Sequence, residues 1–342
     1  MQDGEEGSNV KFFKRKAAVR GVTTLSILVV ALAFYFTTDQ KNFISDLLLE
    51  IAIIIPMMLF SSILTYVLDV NYRKVETSPL IYFRNSLYYL VIAMPFWLMS
   101  IAIILSYGRT FPVLLFLNAI LLVTMGSTVA NVRVRVWKRM SKDIENKKVV
   151  EEAMGIAGKM GIDISGFKVV DWSKAKIANA FQAGLLHYYV FVTNYLLENL
   201  TEEEDVAILA HEIAHAKMKH LKKTLIVVGI ALLLIGNSAF SLIVFTMGLG
   251  VKLGLVASIV LSIFMPGYAI LPYLQRRFER EADIVAAKFT DPVLLAESLL
   301  KISRLNHSPI NFPRHWNLSH PSTSERVAYL TDMKGSKAKL GE

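Results

Sequence analysis

The apolar residues of this chain are gathered into long blocks that alternate with polar segments. A helix needs about 20 mostly apolar residues to cross the hydrocarbon core of a bilayer, which is about 30 Å thick. Six blocks reach or approach that length, and they lie at residues 21–37, 44–69, 87–107, 111–132, 224–247 and 253–273. The pattern therefore predicts six transmembrane helices, four before and two after a long polar segment.

Lysine and arginine residues are shared unevenly between the two sides of these blocks. The loops on one side carry most of them, whereas the opposite loops hold only Lys41, Arg109 and Lys252. Since positively charged loops are retained in the cytoplasm, both termini and residues 133–223 and 274–342 are expected to be cytoplasmic. We expect a multi-pass protein of the cell membrane.

The polar segments show the periodicities of a water-facing domain that contains helices and strands. Residues 143–160 predict an amphipathic helix that ends at Gly161, and Thr201 followed by Glu204 predicts a capping box at the start of another helix. Short strands are predicted at 167–170, 177–181 and 188–192, and further helices at 277–288, at 292–304 and from Ser322.

The predicted fold class is mainly α, an integral membrane helical bundle that carries a cytoplasmic α+β domain. The domain boundaries follow the apolar blocks. They give a cytoplasmic N-terminal tail at 1–20, four transmembrane helices at 21–132, the first half of the water-facing domain at 133–223, two transmembrane helices at 224–273 and the second half at 274–342.

The amino-acid composition agrees with a membrane protein and excludes some kinds of partner and site. The chain is 54% hydrophobic, with a positive mean hydropathy of +0.46. Its net charge of +9 does not indicate a nucleic-acid partner, because the basic residues lie beside the apolar blocks, where they face lipid headgroups. The chain has no cysteine, which excludes disulfides, thiolate metal sites and a cysteine nucleophile.

The helix predicted from Thr201 contains the sequence His211-Glu212-Ile213-Ala214-His215. Residues four apart lie on one face of an α-helix, so both imidazoles can bind one metal ion. Two nitrogen ligands and an open position suit a catalytic Zn²⁺, and Glu212 can take a proton from a water at that ion. A chain of this length shows the pattern by chance roughly once in a hundred, and the water-facing position favours function.

A third protein ligand is required, and the candidates just after the sixth block are Glu279, Glu281 and Asp283. Two intervening blocks return the chain to the side of the membrane that holds the histidines. Glu279 and Asp283 lie one turn apart, so one can bind the metal while the other holds the second ring nitrogen of a ligand histidine. The alternative is that these acids form surface salt bridges with neighbouring arginines.

His220 is a competing third ligand. It lies five residues after His215, which places it about 140° around a continuous helix. We therefore expect His220 to point away from the metal, as a surface histidine near the lipid headgroups.

These motifs together resemble the HtpX-like and CAAX-prenyl-protease family of membrane metallopeptidases, over about residues 140–332. The segments that carry the resemblance are His211–His215, Arg276–Asp283, Asn179-Ala180-Phe181, the run from Val192 through Asn199, and Ser319-His320-Pro321 with Arg326. The combination is far more specific than any one of its motifs.

The resemblance implies a zincin-type catalytic domain of the gluzincin class, with a role for each matched residue. It implies His211, His215 and Glu279 as zinc ligands, Glu212 as general base and Asp283 as the residue that holds a ligand. It further implies that Asn179 and Ala180 lie on an edge strand that pairs with the substrate backbone.

Two late residues have more than one interpretation. His320 can approach the zinc as a fourth ligand or donate to the oxyanion, and it can also merely start the last helix. Arg326 can bind a substrate carbonyl or carboxylate, or it can form a surface salt bridge.

The expected function is that of a zinc-dependent endopeptidase that cleaves cytoplasmic segments of misfolded membrane proteins, as in HtpX-like quality control. One alternative is the processing of lipidated proteins in the manner of CAAX prenyl proteases. The subfamily stays open, because HtpX-like members typically have four spans and prenyl proteases seven, against six predicted here. A transporter or a non-enzymatic metal-bound scaffold is disfavoured by the scarcity of charges within the blocks and by the presence of Glu212.

Overall fold

The computed structural model describes residues 2–37, 43–84, 134–241, 270–313 and 320–340, with a few single helical positions between 116 and 132. The predicted span at 87–107 lies outside the described residues, as do most of the spans at 111–132 and 253–273 and the end of the span at 224–247. The chain divides into two compact units, residues 1–97 with 174–176, and residues 98–173 with 177–342.

The first unit contains two long helices, α1 (Gln2–Thr37) and α2 (Phe43–Arg73). The predicted span at 44–69 lies within α2, and the stretch Ala52–Arg73 is the one helix among the described residues found long and apolar enough to cross a membrane. The predicted span at 21–37 is the second half of α1, which begins near the N-terminus. The described part of the chain therefore does not by itself establish the predicted six-helix bundle.

A buried carboxylate joins the two helices of this unit. Asp69 of α2 accepts a hydrogen bond from Lys16 of α1 at 2.7 Å and one from the Tyr82 hydroxyl at 2.8 Å. Arg73 lies one turn further along α2, with a guanidinium nitrogen 3.7 Å from the same carboxylate. Because a charge without partners is costly inside an apolar environment, this pairing allows an acid to lie near the end of an apolar helix.

The second unit contains four strands and the seven helices named below, and residues 134–140 are also helical. The strands are β1 (Ser141–Asp143), β2 (Ile164–Val170), β3 (Ala180–Ala183) and β4 (Tyr188–Thr193). The helices are α3 (Lys147–Met160), α4 (Asn194–Leu197), α5 (Glu202–Lys217), α6 (His220–Ser241), α7 (Leu271–Ala286), α8 (Pro292–Leu305) and α9 (Thr323–Leu340). The described chain is thus mostly helical, with one small sheet.

The sheet has the strand order β1-β2-β4-β3, which leaves β3 at an edge. Strands β2 and β4 are parallel, whereas β3 runs antiparallel to β4, with Phe181 opposite Phe191. The strand predicted at 177–181 is placed too early, since β3 begins at Ala180. Asn179 directly precedes β3, and its carbonyl accepts a hydrogen bond from the Thr193 amide at 2.9 Å.

The helix predicted from residue 143 begins later than expected. Ser141–Asp143 pair with β2 as β1, and Asn146 then caps α3 by accepting a hydrogen bond from the amide of Val149. Gly161 ends α3 in the left-handed conformation, as predicted. Sheet pairing therefore takes Asp143, the first residue that the amphipathic pattern assigns to the helix, and the helix itself begins at Lys147.

Helix α5 lies at the centre of the unit and packs against α3, α7, α8 and β3. Its start is the predicted capping box, in which Thr201 accepts from the Glu204 amide and the Glu204 side chain accepts from the Thr201 amide. Small buried residues, Ala207, Ala210 and Ala214, allow the neighbouring helices to approach closely. The position of α5 is thus fixed at its start and along most of its length.

Helices α5 and α6 are separated by a sharp break instead of forming the continuous helix assumed for His220. α5 ends at Lys217 and α6 begins at His220, and Lys219 between them has φ of 56°. This left-handed conformation redirects the chain, so the side chain of His220 does not follow the rotation of α5.

The capping box makes α5 sensitive to one hydroxyl. We expect Thr201→Ala to lower the free energy of unfolding by about 1 kcal/mol, because the amide of Glu204 at the helix start loses its acceptor. Thermal unfolding of the purified protein in detergent measures this change. Thr331→Ala, at an exposed position on α9, should stay within about 0.5 kcal/mol of the parent protein, and an equal loss in both variants would contradict the capping role.

Asp205, in the first turn of α5, makes the stability of the unit depend on pH. It is buried, and its Oδ1 has no hydrogen-bond partner among the described residues. Burial, together with the charge of Glu204, raises the pKa of Asp205 from 3.8 to about 7. Between these two values the unfolded chain ionises while the folded chain keeps the proton, so stability falls as the pH rises from about 4 to about 7.

Asp205→Asn should therefore stabilise the protein at pH 8 by about 1 to 4 kcal/mol, the magnitude that this pKa difference allows, and should have little effect below pH 4. Unfolding curves at pH 4 and pH 8 test the difference. Asp163→Asn at an exposed position serves as the control. A stabilisation by Asp205→Asn that is the same at both pH values would show that ionisation of Asp205 does not cause it.

Candidate metal centre

Two imidazoles and one carboxylate converge where α5 packs against α7. The Nε2 atoms of His211 and His215 lie 3.1 Å apart. Glu279 of α7 places Oε2 at 3.4 Å from the Nε2 of His211 and Oε1 at 3.4 Å from the Nε2 of His215. His211 and Glu279 are buried, and His215 is partly buried.

The spacings in this cluster are close to those of a zinc site. Zinc lies about 2.0–2.2 Å from nitrogen and carboxylate oxygen ligands, and a tetrahedral arrangement places such ligands about 3.3–3.5 Å from one another. The three residues form a group able to hold a metal ion, and nitrogen and oxygen donors suit Zn²⁺. The donor set and its spacing therefore fit the metal that the sequence predicts.

Asp283 occupies the other side of His211. Its Oδ1 lies 2.9 Å from the Nδ1 of His211, and its side chain is fully buried. Arg326 of α9 donates to both Asp283 oxygens, through Nε at 2.8 Å and through Nη2 at 2.6 Å, and the Tyr329 hydroxyl donates to Oδ2. Of the two acids one turn apart, Glu279 faces both Nε2 atoms and Asp283 faces a ring Nδ1.

The charges of Asp283, His211 and Arg326 shift the pKa values of one another. Burial would raise the pKa of Asp283, but the charges of Arg326 and His211 hold it well below its usual range. Burial would likewise lower the pKa of His211, yet the negative charges of Asp283 and Glu279 raise it to about 10. A metal bound at His211 would have to displace a proton from this ring, so its binding would weaken as the pH falls.

Glu212 connects the histidine pair to the edge strand. Its Oε2 accepts a hydrogen bond from the backbone amide of Gln182 in β3 at 2.9 Å. Asn179 pairs with Thr193 of β4, and in an antiparallel ladder the amides and carbonyls of alternate residues turn outward. The backbone groups of Ala180 and Gln182 are therefore directed toward the open edge of the sheet, and Glu212 lies at one end of it.

His320 and Arg326 both lie at this centre. The Nδ1 of His320 lies 3.1 Å from Oε2 of Glu279, and 59% of the His320 side chain is exposed. Arg326 is buried, with Nη1 at 3.4 Å from Oε2 of Glu279. The surface salt bridge considered for Arg326 is therefore wrong, because its partner Asp283 lies inside the domain. Its hydrogen bonds to Asp283 also leave less of the guanidinium for a substrate.

The expectation that His220 points away from the metal centre is also wrong. The Nδ1 of His220 lies 2.9 Å from the Nδ1 of His215, and the ring is buried and stacked on Phe278 with centroids 4.2 Å apart. Burial, with the nearby charge of His215, lowers the pKa of His220 to about 4, which leaves the ring neutral at physiological pH. The break at Lys219 turns His220 toward α5.

The contacts that Gln182 and Tyr329 make at the centre were not predicted from the sequence. The amide of Gln182 gives no signal, since any residue carries one. Tyr329 follows Arg326 by three residues, so both lie on one face of α9, and this spacing is the signal that could have indicated a shared partner. Asp283 is that partner.

Comparisons with known proteins agree with this geometry. The model of Peptidase family M48 matches residues 143–334, more than half of the chain. Protease HtpX of Legionella pneumophila is 31% identical over 172 residues, which cover 42% of this chain and 61% of that protein. A CAAX prenyl protease 1 homolog of Taenia solium is 33% identical over 158 residues, covering 40% of this chain and 32% of that protein.

The fold is shared with a solved structure. The crystal structure of S. mikatae Ste24p has a TM-score of 0.73 to this chain at 18% identity, covering 96% of this chain and 89% of that one. The matched region spans less than two thirds of the curated relatives. The resemblance inferred from the residues, to HtpX-like proteins and CAAX prenyl proteases, is confirmed.

The partner of His211 should control metal affinity. We expect Asp283→Asn to weaken zinc binding by about 10- to 100-fold, because the amide removes the charge that holds Nδ1–H of His211. Competition with a fluorescent zinc chelator measures the affinity. Glu297→Gln, at an exposed position on α8, should bind as the parent protein does, and unchanged binding in Asp283→Asn would contradict the role given to Asp283.

Proposed function

The chain belongs to peptidase family M48, and from that premise we propose that it is a zinc-dependent endopeptidase embedded in a membrane. One observation carries the proposal. The Nε2 atoms of His211 and His215 lie 3.1 Å apart, and each lies 3.4 Å from one of the two oxygens of Glu279, with Glu212 on the same helix as the two histidines. This combination supports metal-assisted hydrolysis better than it supports a transporter or an inert scaffold.

Each residue of the centre has a proposed task. His211, His215 and Glu279 hold the zinc, and Asp283 fixes the ring of His211. Bound there, zinc supplies the Lewis acidity that makes water nucleophilic and polarises a carbonyl. Glu212 takes the proton of the attacking water and delivers it to the leaving amine, so the same carboxylate serves as base and then as acid.

We propose that the substrate is an extended segment of a protein or peptide that adds to the edge of β3. The backbone groups of Ala180 and Gln182 are directed outward, and Asn179 is exposed at the start of the strand. Main-chain hydrogen bonds to Ala180 and contacts to Asn179 would align the peptide with little demand on its sequence. The hydrogen bond between Gln182 and Glu212 brings the general base to that same edge.

His320 and Arg326 complete the proposed site. An exposed imidazole beside Glu279 suits either a fourth ligand in the resting protein or a donor to the substrate oxygen, the two roles considered for His320. For Arg326 we propose that it orients Asp283, because both of its bonded nitrogens are directed to that buried carboxylate.

The membrane setting is proposed from the hydropathy pattern and from α2. Helix α6 begins at His220, and the apolar block at 224–247 starts within about 15 Å of His215 along the chain. We propose six spans, a lipid bilayer around them, and both halves of the catalytic domain, 133–223 and 274–342, in the cytoplasm. The natural substrates would then be cytoplasmic segments of membrane proteins, misfolded ones above all, as in HtpX-like quality control.

A second candidate is the processing of lipidated proteins. The 33% identity to a CAAX prenyl protease 1 homolog favours it. Cleavage of a farnesylated CAAX peptide, measured beside cleavage of an unfolded membrane protein, separates the two. Faster cleavage of the farnesylated peptide would favour the second candidate.

The proposed mechanism depends on Glu212. We expect Glu212→Gln to lower the cleavage rate of an unfolded protein substrate by about 10²- to 10⁴-fold, because the amide cannot accept the proton of the water. Product formation by purified protein in proteoliposomes measures this loss. The zinc content of the variant should match that of the parent protein, since Glu212 is not a ligand. Cleavage at the parental rate would rule out the mechanism.

A further inference from the structure

The two histidines of the metal centre are held in different ways. The Nδ1 of His211 faces the carboxylate of Asp283 at 2.9 Å, whereas the Nδ1 of His215 faces the Nδ1 of His220 at 2.9 Å. A metal-binding histidine usually donates its second ring N–H to a carboxylate, a backbone carbonyl or water. Here the second ligand meets an imidazole instead.

The contact fixes the protons on both rings. When the Nε2 of His215 is used for a metal, its single ring proton lies on Nδ1, because a neutral imidazole carries one N–H. The Nδ1 of His220 must then accept that hydrogen bond. The proton of His220 consequently lies on its Nε2.

The far side of His220 is arranged to receive that proton. Its Nε2 lies 3.3 Å from Oε2 of Glu281, and Oε1 of Glu281 accepts a hydrogen bond from the Nε of Arg277 at 2.9 Å. The contacts therefore run from His215 through His220 and Glu281 to Arg277. Glu281 thus does not contact His215 directly. His220 lies between them and transmits the orienting effect of the carboxylate.

The ring plane of His220 is fixed by packing. His220 and Phe278 stack with an interplanar angle of 7° and centroids 4.2 Å apart, and only 4% of His220 is exposed. Phe278 precedes Glu279 on α7, so the helix that supplies the third ligand also supports the imidazole. The left-handed Lys219 brings His220 into this position.

We propose that His220 is a positioning residue for the metal centre, which accepts the Nδ1–H of His215 and passes the orienting effect of Glu281 to that ligand. The inference rests on the proposed zinc site. The sequence left open which of three acids has which role, and this inference gives a role to Glu281. Glu279 faces the metal position, and Asp283 orients His211 directly. Glu281 orients His215 through His220.

Two substitutions separate positioning from packing. His220→Phe keeps the stack on Phe278 and removes the acceptor, whereas His220→Asn places an oxygen near the position of Nδ1 and removes the stack. We expect His220→Phe to weaken zinc binding by about 10- to 100-fold and His220→Asn to weaken it by less than about fivefold. The exposed His187 at the turn after β3 provides a control, and His187→Phe should bind zinc as the parent protein does.

Three measurements test the inference on the full-length protein in detergent. Chelator competition gives the zinc affinity, the visible spectrum of the Co²⁺-substituted protein reports the ligand geometry, and thermal unfolding of the metal-free protein reports packing. We expect His220→Phe to change the Co²⁺ spectrum with little effect on metal-free unfolding, and His220→Asn to do the reverse.

The opposite order would overturn the proposal. If His220→Phe binds zinc as the parent does, the imidazole acts only through packing. If His220→Asn weakens binding as much as His220→Phe does, a hydrogen-bond acceptor at this position does not support His215. The parent protein distinguishes this failure from a failure of the proposed function. A parent that binds no zinc contradicts the peptidase proposal itself, whereas a parent that binds zinc beside unaffected variants contradicts only the role of His220.

Discussion

The buried carboxylate of Asp283 is the interaction on which the metal centre depends. It joins α7, which carries it, to α5 through His211 and to α9 through Arg326 and Tyr329. A buried charge is tolerated only when it is paired and hydrogen-bonded, and removing one partner of such a pair typically costs about 3–5 kcal/mol. Because all its partners come from other helices, this carboxylate ties the geometry of the centre to the packing of three helices.

The two histidines proposed as ligands lie on one helix but contact different supporting residues. His211 is deep in α5 and meets a carboxylate directly, while His215 lies near the end of α5 and meets the first residue of α6. The left-handed Lys219 makes the second contact possible, since a continuous helix would carry His220 away from it. A local backbone conformation thus decides whether the last histidine of the run supports the centre or faces solvent.

The edge strand and the catalytic helix are also coupled. Glu212 accepts the amide hydrogen bond of Gln182, so the general base proposed here and the strand proposed to bind substrate have a fixed relation. The antiparallel ladder to β4 turns the backbone groups of alternate β3 residues outward. A peptide that extends this sheet would therefore be aligned by the same strand that holds Glu212, which is consistent with hydrolysis of extended segments of varied sequence.

Local features of this protein follow from its sequence, whereas the side-chain pairings depend on how the helices pack. The four-residue spacing of His211 and His215 and the capping box at Thr201 depend on contacts within one turn of helix, so they could be predicted from neighbouring residues. The roles of Glu279, Glu281 and Asp283 could not be assigned from spacing, because all three lie on one helix and the histidines that they face come from other helices. The burial of Arg326 and the orientation of His220 were missed for the same reason: side-chain charge and helical periodicity are local, whereas burial and a break between helices are set by what packs against them.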